Sequence, residues 1–211
     1  RSLYRNIQRF VLFQLTINFA AIVICFVGAV FGTDMPLTVV QILWVNIIMD
    51  TFAAMAMASL PPSAEVMEDR PRRCDEFIIS PAMARTIFAC GIVMVAVLLG
   101  LLFGWTFSTE GMTVHRLTLF FSTFVFFQFW NMFNAKAFNT HQSAFARMGA
   151  SIGGFGVVAL LILAGQYLIV TFGGKMFNVV PLSWTDWGII FAGTSLVLWI
   201  GELVRAFTPD K

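Results

Sequence analysis

The stretch WVNIIMDTFAAMAMA, residues 44–58, decides how the chain is read. It is apolar enough to sit in hydrocarbon, yet it carries an amide at Asn46 and a carboxylate at Asp50. A carboxylate near the middle of a membrane helix costs about 2.5–3.5 kcal/mol on insertion scales, so such groups are paired, protonated or bound to a cation. Residues four apart lie on one face of an α-helix. Asn46 and Asp50 are therefore expected to turn their oxygens the same way.

The rest of the chain fits a membrane setting. Of its 211 residues 59% are hydrophobic and only 11% charged, with 24 Phe, whereas a soluble domain carries about 25% charged residues. Apolar stretches at 10–31, 39–60, 82–107, 117–137, 150–172 and 187–207 approach or exceed the roughly 20 residues that cross a bilayer. None alternates apolar and polar residues as a barrel strand must, and a helix satisfies its backbone within its own segment. The expected fold is an all-α membrane protein, a six-helix transmembrane bundle occupying residues 1–211. No initiator Met and no signal peptide precede the first stretch, which suggests a fragment of something longer.

Orientation follows from Lys and Arg. One set of loops and ends carries Arg1, Arg5, Arg9, Arg70, Arg72, Arg73, Arg85, Lys136, Arg147, Arg205 and Lys211, and the other set only Arg116 and Lys175. This bias places both ends on the cytoplasmic side. Trp105, Trp184 and Trp187 then fall at the outer interface, where aromatic belts sit. Gly100 with Gly104, and Gly149 with Gly153, have the four-residue spacing of close helix packing. Cys25, Cys74 and Cys90 show no CxxC spacing and read as unpaired thiols.

Among the polar residues inside the stretches, Gln14, Gln41, Asn134 and Gln166 read as interhelical hydrogen-bonding groups. Such bonds are worth about 0.6 kcal/mol each on average. Glu202 lies three residues before Arg205 and reads as a local helix pair. No intramembrane opposite charge is apparent for Asp50, since Arg85, Lys136 and Arg205 fall near the ends of their stretches. Asn18 stands in the middle of the first stretch, and Gln128, Asn131 and Asn134 recur at helical spacing in the fourth. Three helices can thus offer amide and carboxylate oxygens to one interior, a donor set that suits a hard cation such as Ca²⁺. No His lies in a stretch and no Cys accompanies these residues, which speaks against zinc or copper. The metal-site candidates are Asn46 and Asp50, with Asn18 and Gln128 beside them.

WVNIIMDTFAAMAMASLPP, with RSLYRNIQRFVLFQLTINF before it and EDRPRR after it, resembles the C-terminal membrane half of P-type calcium-transporting ATPases. FVFFQFWNMFNAK (124–136) and TFGGKMFNVVPLSWTDWG (171–188) extend the likeness through the whole chain, nearest to the plasma-membrane-type branch. The resemblance implies that the six stretches are the family's fifth to tenth membrane helices. It also implies that Asn46 and Asp50 are its sixth-helix calcium ligands, and that Asn18 matches a fifth-helix asparagine. Where two-site pumps have a fifth-helix glutamate this chain has Ala21. Met49 replaces a threonine, and Gln128 an eighth-helix glutamate. One Ca²⁺ site is implied rather than two, completed by a glutamate on a fourth helix outside this chain.

The sequence has neither an Asp-Lys-Thr-Gly motif nor a Gly-rich phosphate loop. ATP and Mg²⁺ are therefore expected to act on actuator, phosphorylation and nucleotide domains of the parent translocase. The partners implied are the lipid bilayer of the plasma membrane and the pump's own N-terminal helices and cytoplasmic domains. No nucleic acid is implied, and no calmodulin through this C-terminus. An ion channel or secondary carrier, or an inactive structural bundle, fits the spans but not the order of the motifs. If the charge bias sets orientation, Cys74 in sealed vesicles is modified by an impermeant thiol reagent from the cytoplasmic side. Modification from the outside alone contradicts it.

Overall fold

The computed structural model describes residues 2–32, 37–61, 77–138 and 152–207, apart from the side chains of Met49, Ile152, Arg205, Ala206 and Phe207. Every regular element among them is a helix. Helix α1 is Ser2–Val30. Helix α2 is one rod over Val39–Ala58; it is α-helical over Val39–Ile47 and Ala54–Ala58 and π-helical over Ile48–Ala53 between them. Helices α3 and α4 are Pro81–Thr106 and Val114–Ala137. A π turn, Ile152–Gly156, leads into α5, Val157–Phe172. After a single turn at Gly174–Phe177 come α6, Trp184–Thr194, and α7, Leu196–Phe207, separated only by Ser195.

Local sequence sets the starts of these helices. The first backbone N–H groups of a helix lack intrahelical acceptors, and a Ser or Thr hydroxyl supplies one. Thr38 accepts from the Gln41 amide N–H while the Gln41 side chain accepts from Thr38 N, a closed capping box. Ser183 and Asp186 form the same reciprocal pair at α6. Ser80 caps α3, with Pro81 at a first-turn position that needs no N–H. Thr113 caps α4 through the Arg116 N–H.

The centre of the assembly is α4, which packs against α1, α3, α5, α6 and α7. All its residues from 120 to 137 are buried. Lipid tails are as apolar as leucine, so burying phenylalanines here brings little hydrophobic gain; close packing and interhelical hydrogen bonds hold membrane helices together. Both are present. Trp130 packs edge-on against Phe191, with ring centroids 4.8 Å apart, and its indole N–H donates to Thr194 Oγ1 at 3.1 Å. Asn134 donates from Nδ2 to the Val197 carbonyl at 2.9 Å.

Among the described residues five helices are long and apolar enough to cross a membrane: Ser2–Val30, Val39–Ala58, Pro81–Thr106, Gly153–Phe172 and the α6–α7 pair over Trp184–Val204. Helix α4 is 24 residues long, about 36 Å, but it is not among the five. Its Gln128, Asn131, Asn134 and Lys136 lower its apolar character, and its neighbours enclose it. Of the six apolar spans expected, five are thus apolar enough to cross among the described residues, and the fourth stretch, 117–137, forms the polar-bearing core helix.

The expected small-residue contacts fall elsewhere. Gly100 and Gly104 are exposed, and a Cβ on either, or on Gly153, would have nothing within 4 Å; Gly149 lies outside the described residues. Close approach occurs instead at Gly91 against Phe19, Gly154 against Ser59, Gly165 against Trp44 and Gly201 against Asn134. Cys25 is exposed and Cys90 buried, and neither is in a disulfide among the described residues. Cys74 lies outside the described residues, as does the Arg205 side chain expected beside Glu202.

The Gly201 contact is testable. A Cβ there would run into the amide of Asn134, whose side chain is fully buried and held by α7. Gly201→Ala is expected to destabilise the protein by about 1–3 kcal/mol. Gly193→Ala, in open space, should be neutral or slightly stabilising. Thermal unfolding in detergent separates the two, and equal midpoints for Gly201→Ala and wild type would contradict the packing described.

Candidate cation site

The four candidate residues lie on the three helices expected to carry them. Asn18 is near the middle of α1 and half-buried. Asn46 is on the second-to-last residue of the first α-helical piece of α2, Asp50 is in the π turn, and both are exposed. Gln128 is on α4 and fully buried.

The α1–α2 packing is made chiefly by the last turn of α2, Ala54–Ala58. Between the two helices lies a cavity of about 150 Å³. Asn18 and Ala21 of α1, Val45 and Asn46 of α2 and Phe124 of α4 all line it. The structure therefore brings Asn18 and Asn46 together, and puts Ala21, with no polar atom in its side chain, beside them. Asp50 and Gln128 are not lining residues of this cavity.

The π turn bears on Asp50. Hydrogen bonds that run i→i+5 spread a turn over more residues than an α-helix does, and single π turns inside α-helices occur frequently at functional sites. The four-residue step from Asn46 to Asp50 passes into this wider turn, so ideal α spacing does not carry over unchanged. Asp50 has no ion pair or hydrogen-bond partner among the described residues. The side chain of Met49 lies outside them.

Gln128 sits one turn along α4 from Phe124, which closes the cavity, and three residues before Asn131. Asn131 Nδ2 is 3.4 Å from the Phe13 carbonyl of α1, a long contact, and its Oδ1 has no partner. Neither Oε1 nor Nε2 of Gln128 has one. Buried polar atoms are nearly always hydrogen-bonded, and leaving one unmade costs about 1–3 kcal/mol. Gln128 through both its polar atoms, and Asn131 through Oδ1, thus lack a hydrogen-bond partner among the described residues. Among the described residues no three His, Cys, Asp or Glu side chains cluster. The donors at hand are amide oxygens and one carboxylate, the set of a hard cation.

Three of the four amides expected to bond between helices do so, and Gln14 has no such bond among the described residues. Gln41 donates to the Phe177 carbonyl at 2.7 Å, Asn134 to Val197, and Gln166 bonds to side chains of two other helices. Sequence reasoning missed Phe124 as a cavity wall. Its position four residues before Gln128 on one helix face was the available signal.

The structure defines a helical bundle of membrane-crossing character, with a mainly apolar cavity between α1 and α2 whose wall carries the amides of Asn18 and Asn46. Comparison with known proteins sharpens this. Residues 34–207 match the family model described as cation transporting ATPase, C-terminus. The chain is 34% identical over 229 residues to plasma membrane calcium-transporting ATPase 3 of Homo sapiens, covering 100% of this chain and 18% of that protein. It is 37% identical over 215 residues to calcium-transporting ATPase 12, plasma membrane-type, of Arabidopsis thaliana, covering 99% and 20% respectively. The chain belongs to the cation-transporting ATPase C-terminal family, and it spans about a fifth of the length of these relatives.

The orphaned amide gives a prediction. Gln128→Leu removes two buried polar atoms without a partner among the described residues, so in the absence of divalent cations it should raise the thermal midpoint. A lowered midpoint would show that the amide is satisfied in the folded protein.

Proposed function

We propose that this chain is the membrane half of an ATP-driven P-type calcium pump, crossing the plasma membrane six times with both ends cytoplasmic. On this reading it supplies part of a single intramembrane Ca²⁺ site. Asp50 and Asn46 are the ligands from α2, with Asn18 and Gln128 as lesser or indirect partners. The parent protein is the enzyme. ATP and Mg²⁺ act on domains outside this chain, and Ca²⁺ is its cargo.

The observation that carries the reading is the shared cavity of Asn18 and Asn46 in a chain of this family. Two features support one site rather than two. Ala21 stands on the cavity wall where a second carboxylate would be needed. Gln128 contributes an amide, which adds no negative charge. Charge balance then says what is missing: Asp50 alone leaves bound Ca²⁺ with one uncompensated positive charge, unfavourable in a medium of low dielectric constant. A further carboxylate must come from another part of the parent, and Asp50 is exposed in this chain, open to such a neighbour.

In the full-length protein Asp50→Asn keeps size and most hydrogen-bonding capacity but removes the charge that offsets the cation. It is expected to abolish calcium-dependent phosphorylation by ATP while the protein still inserts. Gln128→Ala should weaken calcium affinity less, since a neutral amide contributes little to charge balance. Calcium titrations of phosphorylation at matched expression make the comparison. An Asp50→Asn pump with unchanged calcium affinity would sink the reading.

A further inference from the structure

Helix α2 is fastened at three levels to α5 and to the turns before and after it. Near its start, Gln41, already part of the capping box, donates to the Phe177 carbonyl at 2.7 Å. At its far end, Ser59 packs so closely on Gly154 that no Cβ fits between them. Midway, Trp44 lies against Gly165, where an added Cβ would come within 2.8 Å of the indole ring. Its Nε1–H donates to Gln166 Oε1 at 3.1 Å, and Gln166 Nε2 is 3.3 Å from Ser122 Oγ of α4. Gln166 and Ser122 are fully buried.

The middle fastening differs from the others in what it holds. Trp44 is two residues before Asn46, and a step of two residues turns about 200° around an α-helix. One face of α2 is thus gripped by α5 while the opposite face presents Asn46 to the cavity. Trp44 also stands edge-on to Phe52, with centroids 6.2 Å apart and planes at 76°, and Phe52 belongs to the π turn that carries Asp50. A single indole therefore links the amide of α5 to both ligand-bearing parts of α2.

We propose that Gln166 is a positioning residue for cation binding. Acting through the Trp44 indole, it fixes the rotation of α2 about its own axis and hence where Asn46 and Asp50 point. The inference rests on the pump reading above. In a bilayer a freed indole N–H and a freed amide find no water, so the pair holds one rotation of the helix against its neighbours. Gln166 touches neither the cavity nor the cation. Its loss weakens ion binding by loosening the ligand geometry.

The test uses the full-length pump in membranes and reads three quantities: the Ca²⁺ concentration for half-maximal phosphorylation, the maximal phosphoenzyme level, and the ATP concentration dependence. Gln166→Leu should raise the half-maximal Ca²⁺ concentration about three- to fifteenfold, the range of single interhelical hydrogen bonds. The maximal level and the ATP dependence should not move. Trp44→Phe, which removes the N–H and keeps a ring, should act alike, and the double variant should be no worse than the stronger single one. If Gln166→Leu fails to reach the membrane, Trp44→Phe alone decides. A working wild type whose variants keep its calcium dependence, or whose double variant multiplies the two single effects, overturns this inference alone. A wild type with no calcium-dependent phosphoenzyme overturns the pump reading and this inference with it.

Discussion

A polar group placed among apolar helices must find its partner in the protein, because hydrocarbon offers none. That constraint organises this structure around α4 and its neighbours. Asn134 reaches a carbonyl of α7, and Gln41 one beyond α5. Gln166 spans from Trp44 to Ser122, and Trp130 meets Thr194. Each bond joins two elements distant in sequence, and together they define how the helices are turned. Against that background the two unpaired atoms of Gln128 and the unpaired Oδ1 of Asn131 stand out. The fold satisfies the buried amides of Gln8, Gln41, Asn134 and Gln166 within the described residues and leaves these atoms without a partner there.

The same rule explains the asymmetry of α2. One face is held by α5 through the Gly165 and Gln166 contacts, and the other faces the cavity and open surface. For the proposed role of α2 in cation binding, a held face and an open face are the combination needed: oxygens kept in place and an approach for the ion. The π turn falls between the two α-helical pieces, at the level of the one carboxylate, where the backbone departs most from a uniform rod.

Apolar runs made the helices legible in the sequence because the bilayer sets their length. The stretches read at 39–60 and 82–107 correspond to Val39–Ala58 and Pro81–Thr106. Hydropathy was blind where helix and hydrocarbon part company. Helix α1 begins at Ser2, not near residue 10, because a helix continues through Arg5 and Arg9 after the apolar run has ended. The π turn left no mark, since IMDTFA contains neither Gly nor Pro. Glycine spacing misled at Gly100 and Gly104, as the pattern alone does not say which face a neighbour occupies. At the candidate site, the oxygen-bearing side chains of Asn18 and Asn46 could be picked out by residue type, while the cavity they share with Phe124, and the Trp44–Gln166 contact, depend on how three helices are rotated.

The central claim is a single cation site built on α1 and α2, with Ala21 and Gln128 standing where a second site would need carboxylates. The most direct measurement is the number of Ca²⁺ ions occluded per phosphorylation site in the full-length protein. The account predicts one. Two ions per phosphorylation site would contradict it.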